Sequence, residues 1–243
     1  IALVLLMAGL GFKIAAVPFH FYAPDVYQGC SNANAGLLAV APKIAGIVAI
    51  LRLLVVAMPS IAGIGWQLAI VLALLTMTVG NVLALPQKNV KRVLAYSAIA
   101  HAGYLLLGCV AASADPVLGA PYAIPGGNIP FYLVGYALAS LAAFSALATV
   151  GSDGEEMTTE SQLAGLGWRY PFAGAVLALS MLSLAGVPPT VGFFGKLVMV
   201  REVLAVEGSV LALDIPLRYP ALTAHGAIWD PSRFCRRSNN LHG

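Results

Sequence analysis

Long apolar runs broken by short polar stretches organise this chain, and the runs have no polar face. Six can be marked: about Ile1 to Pro24, Asn32 to Ala57, Ile61 to Leu85, Val93 to Ser113, Ile129 to Gly151 and Pro171 to Val200. A bilayer core about 30 Å thick takes roughly 20 apolar residues per helix. In lipid, backbone N–H and C=O groups must be satisfied within the segment, so each run is predicted to be an α-helix and the fold an all-α, polytopic transmembrane bundle. Two runs are interrupted: Val17-Pro18 lies in the first and Gly186-Val187-Pro188-Pro189 in the sixth. Proline removes a donor and clashes with the preceding turn. Broken helices at membrane depth are tolerated where they are buried in protein or line a wet cavity. An ordinary proline kink would look the same, but both interrupted helices also carry a lysine.

Composition agrees. Of 243 residues, 60% are hydrophobic and only 9% charged, with a mean hydropathy of +0.87. A soluble domain carries about 25% charged residues, so this chain cannot coat a water-facing surface of its size. The net charge of +3 comes without a basic stripe interleaved with aromatics, which argues against nucleic acid. Cys30, Cys109 and Cys235 fit neither a disulfide framework nor a metal-site spacing. Glycine-rich nucleotide loops and H-E-x-x-H are absent from the sequence, so no cofactor or metal is expected and redox chemistry by this chain is not. Basic residues in short loops set orientation. The Lys88 to Arg92 loop and the loop ending in Arg169 fall on one side, read as cytoplasmic, or as matrix or stromal in an organelle. The acidic stretch Ser152 to Gln162 is predicted to be a loop and a short surface helix capped by Thr159 or Ser161. The tail, rich in Arg, Pro, Asn and His from about Asp214, is predicted to be irregular.

Chemistry then rests on the intramembrane lysines. A charge at a helix centre costs roughly 2.5–3.5 kcal/mol on insertion scales, and such residues usually face a bundle interior or a wet cavity. Burial disfavours the ammonium and a nearby carboxylate favours it, so a lysine balanced between the two can load and release a proton. Lys43 lies deep in its span, where snorkelling is hard. Lys13 can instead be read as interfacial, and Lys196, five residues from Arg201, as snorkelling to the surface. His101 has two readings, a hydrogen bond to a neighbouring helix or a proton shuttle. His20 and Asp25, flanking the first break, are read as ordering it.

These residues form a recognisable pattern. Gly11-Phe12-Lys13, Pro18-Phe19-His20 and Ala23-Pro24-Asp25-Val26-Tyr27-Gln28-Gly29 resemble subunit N of the proton-pumping NADH:quinone oxidoreductase, respiratory complex I. So do Asn81 to Leu85, Asn89-Val90-Lys91-Arg92 through Tyr96-Ser97, Ile99-Ala100-His101-Ala102-Gly103-Tyr104, and Ser183 through Pro189-Thr190 to Gly195-Lys196. The Pro-Phe-His and Gly-x-Pro-Pro pieces alone also resemble cation/proton antiporter subunits. The resemblance covers roughly residues 1–200 and implies an antiporter-like fold of about fourteen helices in two inverted repeats, with the two breaks as discontinuous helices. The six spans would be the seventh to twelfth of them. It maps the family's proton path onto Lys13, Lys43 and Lys196, with His101 as a possible shuttle. It also implies an acidic partner of Lys13 on an earlier helix, for which this sequence has no counterpart.

The partners implied are other membrane subunits of complex I and the lipid bilayer. Quinone is used by the complex and not bound here. The membrane implied is the bacterial plasma membrane, with an organellar inner membrane as the alternative. Two stretches depart from the family: Cys30 to Asn34 replaces a proline-bearing entry to the second span, and residues 201–243 form a divergent tail that resembles nothing in the family beyond about Leu213. The abrupt start inside an apolar run and this tail suggest a fragment of a longer frame, which alone is not expected to pump. A cation/proton antiporter subunit, or a structural remnant whose lysines only pair with neighbours, are the competing functions.

Overall fold

The computed structural model describes residues 2–57, 62–118, 128–152, 155–156 and 158–202; the tail from residue 203 and its expected irregularity lie outside them. The helices are α1 (Ala2–Ile14), α2 (Tyr22–Gly29), α3 (Asn32–Leu51), α4 (Ala62–Ala84), α5 (Val90–Leu118), α6 (Asn128–Thr149), the short α7 (Glu160–Leu163) and α8 (Leu166–Arg169), and α9 (Pro171–Ala185). Residues 191–202 form a further helix, α10. A π-helical turn, Arg52–Ala57, extends α3. Among the described residues, three helical stretches are long and apolar enough to cross a membrane: Asn32–Leu54, Val90–Ala112 and Asn128–Thr149. All six predicted runs are helical, and both predicted breaks are real: α1 gives way to α2, and α9 to α10.

α5 is the central column. Of its apolar window 83% is buried, against 39% for α3 and 56% for α6. It lies against α4 through small residues, the usual way membrane helices approach closely. A Cβ on Gly80 would come 2.7 Å from the Ala100 nitrogen, and one on Gly103 would come 2.9 Å from the Ala73 carbonyl. α3 packs on α6, α6 on α9, and α1 on α3. Large apolar side chains such as Leu5, Leu37, Val71, Leu138 and Phe172 point outward, as a bundle facing lipid or further apolar helices requires.

The breaks end their helices in the same manner. α1 stops where Ala15 turns left-handed at φ 58, and α9 stops at Gly186, φ 83. The amides of Gly186 and Val187 both turn back to the Leu182 carbonyl, at 3.0 and 3.1 Å, satisfying a terminal acceptor. Val17-Pro18 and Pro188-Pro189 are cis. The amide of Val17, freed by the first break, donates to Thr76 Oγ1 on α4 at 3.1 Å, and that hydroxyl donates to Leu72 O at 2.5 Å. Thr76 is fully buried. Thr76→Val keeps the shape and removes the acceptor, which should cost about 1–3 kcal/mol for the stranded N–H. Thermal unfolding of the purified protein checks this, with Thr76→Ser retaining the bond; equal melting of the Val variant and the parent would refute the role.

The polar loops meet on one side, as the sequence reading expects. Val90 N–H donates to Thr158 O at 2.8 Å, and Asn89 bridges to Thr159. Thr159 is the N-cap of α7, its amide donating to Gln162 Oε1 at 3.1 Å. Part of the acidic stretch forms a minimal antiparallel pair, Gly151–Ser152 with Glu155–Glu156, where a plain loop was expected. The basic loop also differs. α5 begins at Val90 rather than Val93, so Lys91 and Arg92 belong to its first turn. Lys91, only 2% exposed, donates from Nζ to Cys30 O at 2.9 Å, placing a cation at the C-terminal end of α2. Arg92 pairs with Asp25 at 2.6 Å and donates to Gln28 Oε1 at 2.9 Å. The half-helix beyond the first break is thus clamped to α5.

Candidate functional site

Three of the four titratable groups singled out in the sequence, on α3, α5 and α10, converge around two tyrosines of α6. His101, 3% exposed, sits on α5 between two partners. Its Nδ1 lies 2.5 Å from the Tyr132 hydroxyl and its Nε2 3.1 Å from Leu184 O. A carbonyl can only accept, so Nε2 carries hydrogen, and in the neutral ring Nδ1 accepts from the tyrosine. Leu184 belongs to the last turn of α9, where the break leaves carbonyls without intrahelical amides.

Lys196 uses the same carbonyl. Its Nζ donates to Leu184 O at 2.7 Å and to Ala185 O at 3.1 Å, and stands 5.2 Å from the Tyr104 ring centroid. It reaches back to the break and does not snorkel outward. Gly186 makes room for it: a Cβ there would meet Lys196 Cδ at 3.2 Å and Nζ at 3.3 Å. Two protonatable nitrogens therefore converge on one oxygen, within reach of a single bridging water.

Lys43, also 3% exposed, faces His101 across Tyr136. Its Nζ is 5.9 Å from the Tyr136 ring centroid, and that ring lies 5.0 Å from the imidazole. The Tyr136 hydroxyl donates to Ala39 O at 3.1 Å, one residue beyond the Leu38 carbonyl that Pro42 deprives of its helical amide. A cavity of about 10 Å³ beside His101, Tyr132 and Tyr136 has space for one water at most. Lys13 stands apart. It is exposed on α1 but shares with Lys43 a cavity of about 40 Å³, also lined by Tyr22, Tyr27 and Pro42.

Of the four candidates, three therefore meet and Lys13 reaches the set only through a cavity. His20 is buried beside the break, its ring 4.6 Å from that of Phe21, and Asp25 holds Arg92. Reading formal charges alone missed Tyr132 and Tyr136. Their signal was present: two tyrosines four residues apart on one face of an otherwise apolar span.

A family model described as NADH:quinone oxidoreductase/Mrp antiporter, TM matches residues 1–215. NADH-quinone oxidoreductase subunit N 1 of Sorangium cellulosum is 44% identical over 221 residues, covering 88% of this chain and 42% of the relative. Subunit N 2 of Roseiflexus castenholzii is 41% identical over 236 residues, covering 94% and 47%. The chain thus spans a little under half the length of these relatives. A chain in the structure of respiratory complex I from Thermus thermophilus superposes with a TM-score of 0.69 at 36% identity, over 87% of this chain and 45% of that one. One in the Mrp complex from Dietzia sp. gives a TM-score of 0.70 over 89% and 39%; at 23% identity it shares the fold alone.

Proposed function

Because the chain belongs to the NADH:quinone oxidoreductase/Mrp antiporter transmembrane family, we propose that it carries protons within a proton-pumping NADH:quinone oxidoreductase, as part of a non-redox membrane subunit. The path runs from Lys13 across the small cavity to Lys43, past Tyr136 to His101, and on to Lys196. The chain itself holds no redox group in this reading. Electrons pass from NADH to quinone in partner subunits, quinone does not bind here, and conformational or electrostatic coupling reaches the lysines through neighbouring membrane subunits. The membrane is a bacterial plasma membrane, in keeping with the bacterial relatives.

The observation that carries this reading is the shared Leu184 carbonyl. Lys196 and His101 are both held at the unwound end of α9, where a broken helix at membrane depth places ion-handling groups in transporter folds. Lys196 is held by two backbone carbonyls of the break, whereas Arg92 pairs with Asp25 on the loop side. The relatives' identity supports the oxidoreductase reading over a cation/proton antiporter, because the quoted curated relatives above 40% are NADH-quinone oxidoreductase subunits.

Lys196→Ala in the intact protein should lower the number of protons moved per electron while leaving electron transfer with an artificial acceptor unchanged. Proton release measured against NADH oxidation in sealed vesicles makes the test. A stoichiometry and rate identical to the parent would remove Lys196 from the path.

A further inference from the structure

We propose that the groove between α3 and α6 binds one phospholipid, with an acyl chain laid along the groove and the phosphate on Arg52. The two helices run antiparallel: Asn32, at the start of α3, donates to Leu147 O near the end of α6 at 3.1 Å. Over this half they touch closely. A Cβ on Gly36 would meet Phe144 Cβ at 3.1 Å, Ala39 and Ala143 are buried, and the Tyr136 hydroxyl donates to Ala39 O. Small residues are what let membrane helices approach so closely. Toward the other ends the facing residues become large and branched. On α3 they are Ile44, Ile47, Val48 and Leu51, at the three-, four- and seven-residue steps of one face. On α6 they include Ile129, Leu133 and Val134. Here a groove of about 350 Å³ opens, about 10 Å long from Ile44 to Leu51 at the helical rise.

Its shape and chemistry suit a hydrocarbon chain. Ile47, Ile129 and Leu133 are buried and form the floor, whereas Val48 and Val134 stand exposed on the two sides. Every lining residue is Ile, Val, Leu, Pro or Ala, so no hydroxyl, amide or charged side chain offers partners to a water or an ion. The cavities beside Lys43 and His101, about 40 and 10 Å³, are smaller and carry titratable groups; this one is larger and carries none.

Arg52 supplies the second feature of the occupant. Leu51 ends α3, and Arg52 follows as the first residue of the π-helical turn, one turn beyond Val48 on the flank of the same face. Its side chain is exposed, with no carboxylate pairing it among the described residues. It stands at the end of α3 away from Asn32, where the span ends and headgroups begin. A guanidinium matches phosphate oxygens in a two-pronged, charge-assisted contact. Asn128, which opens α6, is already engaged with Glu202, which leaves Arg52 as the phosphate partner. A bare apolar helix would use the groove alone; a molecule with both an acyl chain and an anionic head uses the groove and the arginine together.

Native mass spectrometry of the intact protein, delipidated in detergent and titrated with phosphatidylglycerol or with the diacylglycerol of the same chains, tests this. Phosphatidylglycerol should bind at least about tenfold tighter than the diacylglycerol, as a charge-assisted phosphate contact implies. Arg52→Gln should remove that advantage and Arg52→Lys should keep part of it. Val134→Trp places a bulky ring at the side of the groove and should weaken both lipids, whereas Val71→Trp, on the outward face of α4 and 54% exposed in the parent residue, should change neither. Equal binding of the two lipids by the parent, an undiminished advantage in Arg52→Gln, or a loss in Val71→Trp as large as in Val134→Trp would each overturn the site. So would loss of a copurifying membrane subunit from Val134→Trp with lipid binding unchanged, because protein would then cover the groove.

Discussion

Lys43→Met should nearly abolish proton translocation while leaving the fold as stable as the parent or more so. The two effects separate because of where Lys43 stands. It is 3% exposed, and its described neighbour is the face of Tyr136 at 5.9 Å, with no carboxylate pairing it among the described residues. A buried ammonium without an ion partner is a cost to the fold. Methionine matches its length, fills irregular gaps and carries no charge, so the variant should melt no lower. Translocation loses the lysine that stands between the Lys13 cavity and His101. A positioned proton carrier is worth about 10²–10⁴-fold in rate, and a loss of at least tenfold is the expected reading. Vesicle acidification beside thermal unfolding decides it. A fall in both together would mean that the lysine supports structure; a fall in neither would exclude it from the path.

The sequence and the structure agree most closely where chemistry leaves a local mark. Long apolar runs, prolines inside two of them, and lysines near those prolines are visible without a fold, and they correspond to helices, breaks and members of the candidate site. Long-range partners were not visible. Thr76 satisfies Val17 from 59 residues away, and Tyr132 reaches His101 across 31; only the packing of α4 and α6 brings them near. Lys91 and Arg92 are the instructive miss. A positive cluster between apolar spans reads as a solvated loop that sets orientation, and it does lie at the loop side. Yet Lys91 is buried against the Cys30 carbonyl and Arg92 grips Asp25, so the same charges also fix the half-helix whose Tyr22 and Tyr27 line the Lys13–Lys43 cavity. Charge pattern marked the polar end of the spans; the contact needed the three-dimensional meeting of α2 and α5. For Lys196 the sequence left snorkelling open, because Arg201 is near in the chain. The geometry removes that reading: a side chain bonded to Leu184 O and Ala185 O points inward to the break.

The second break also explains why one histidine can serve both neighbours. An intact helix would have consumed the Leu184 carbonyl internally. Ending α9 at Gly186 exposes that oxygen, and it becomes the common acceptor that fixes the imidazole tautomer and the ammonium position together.

His101→Phe should therefore have two separable consequences. The ring volume is kept, but Tyr132, itself 3% exposed, loses the acceptor of its hydroxyl. A stranded buried hydroxyl costs about 1–3 kcal/mol, so the single variant should melt lower than the parent. Leu184 O keeps its bond from Lys196, which limits the damage to one side of the site. Adding Tyr132→Phe removes the stranded group, and the double variant should recover most of the lost stability. Proton translocation should not recover, because neither ring then accepts or donates a proton between Lys43 and Lys196. Unfolding midpoints and vesicle acidification for the parent, both single variants and the double variant complete the cycle. If acidification returns with stability in the double variant, His101 is a hydrogen-bonding strut; if it stays at least about tenfold down, the imidazole is the carrier across the break.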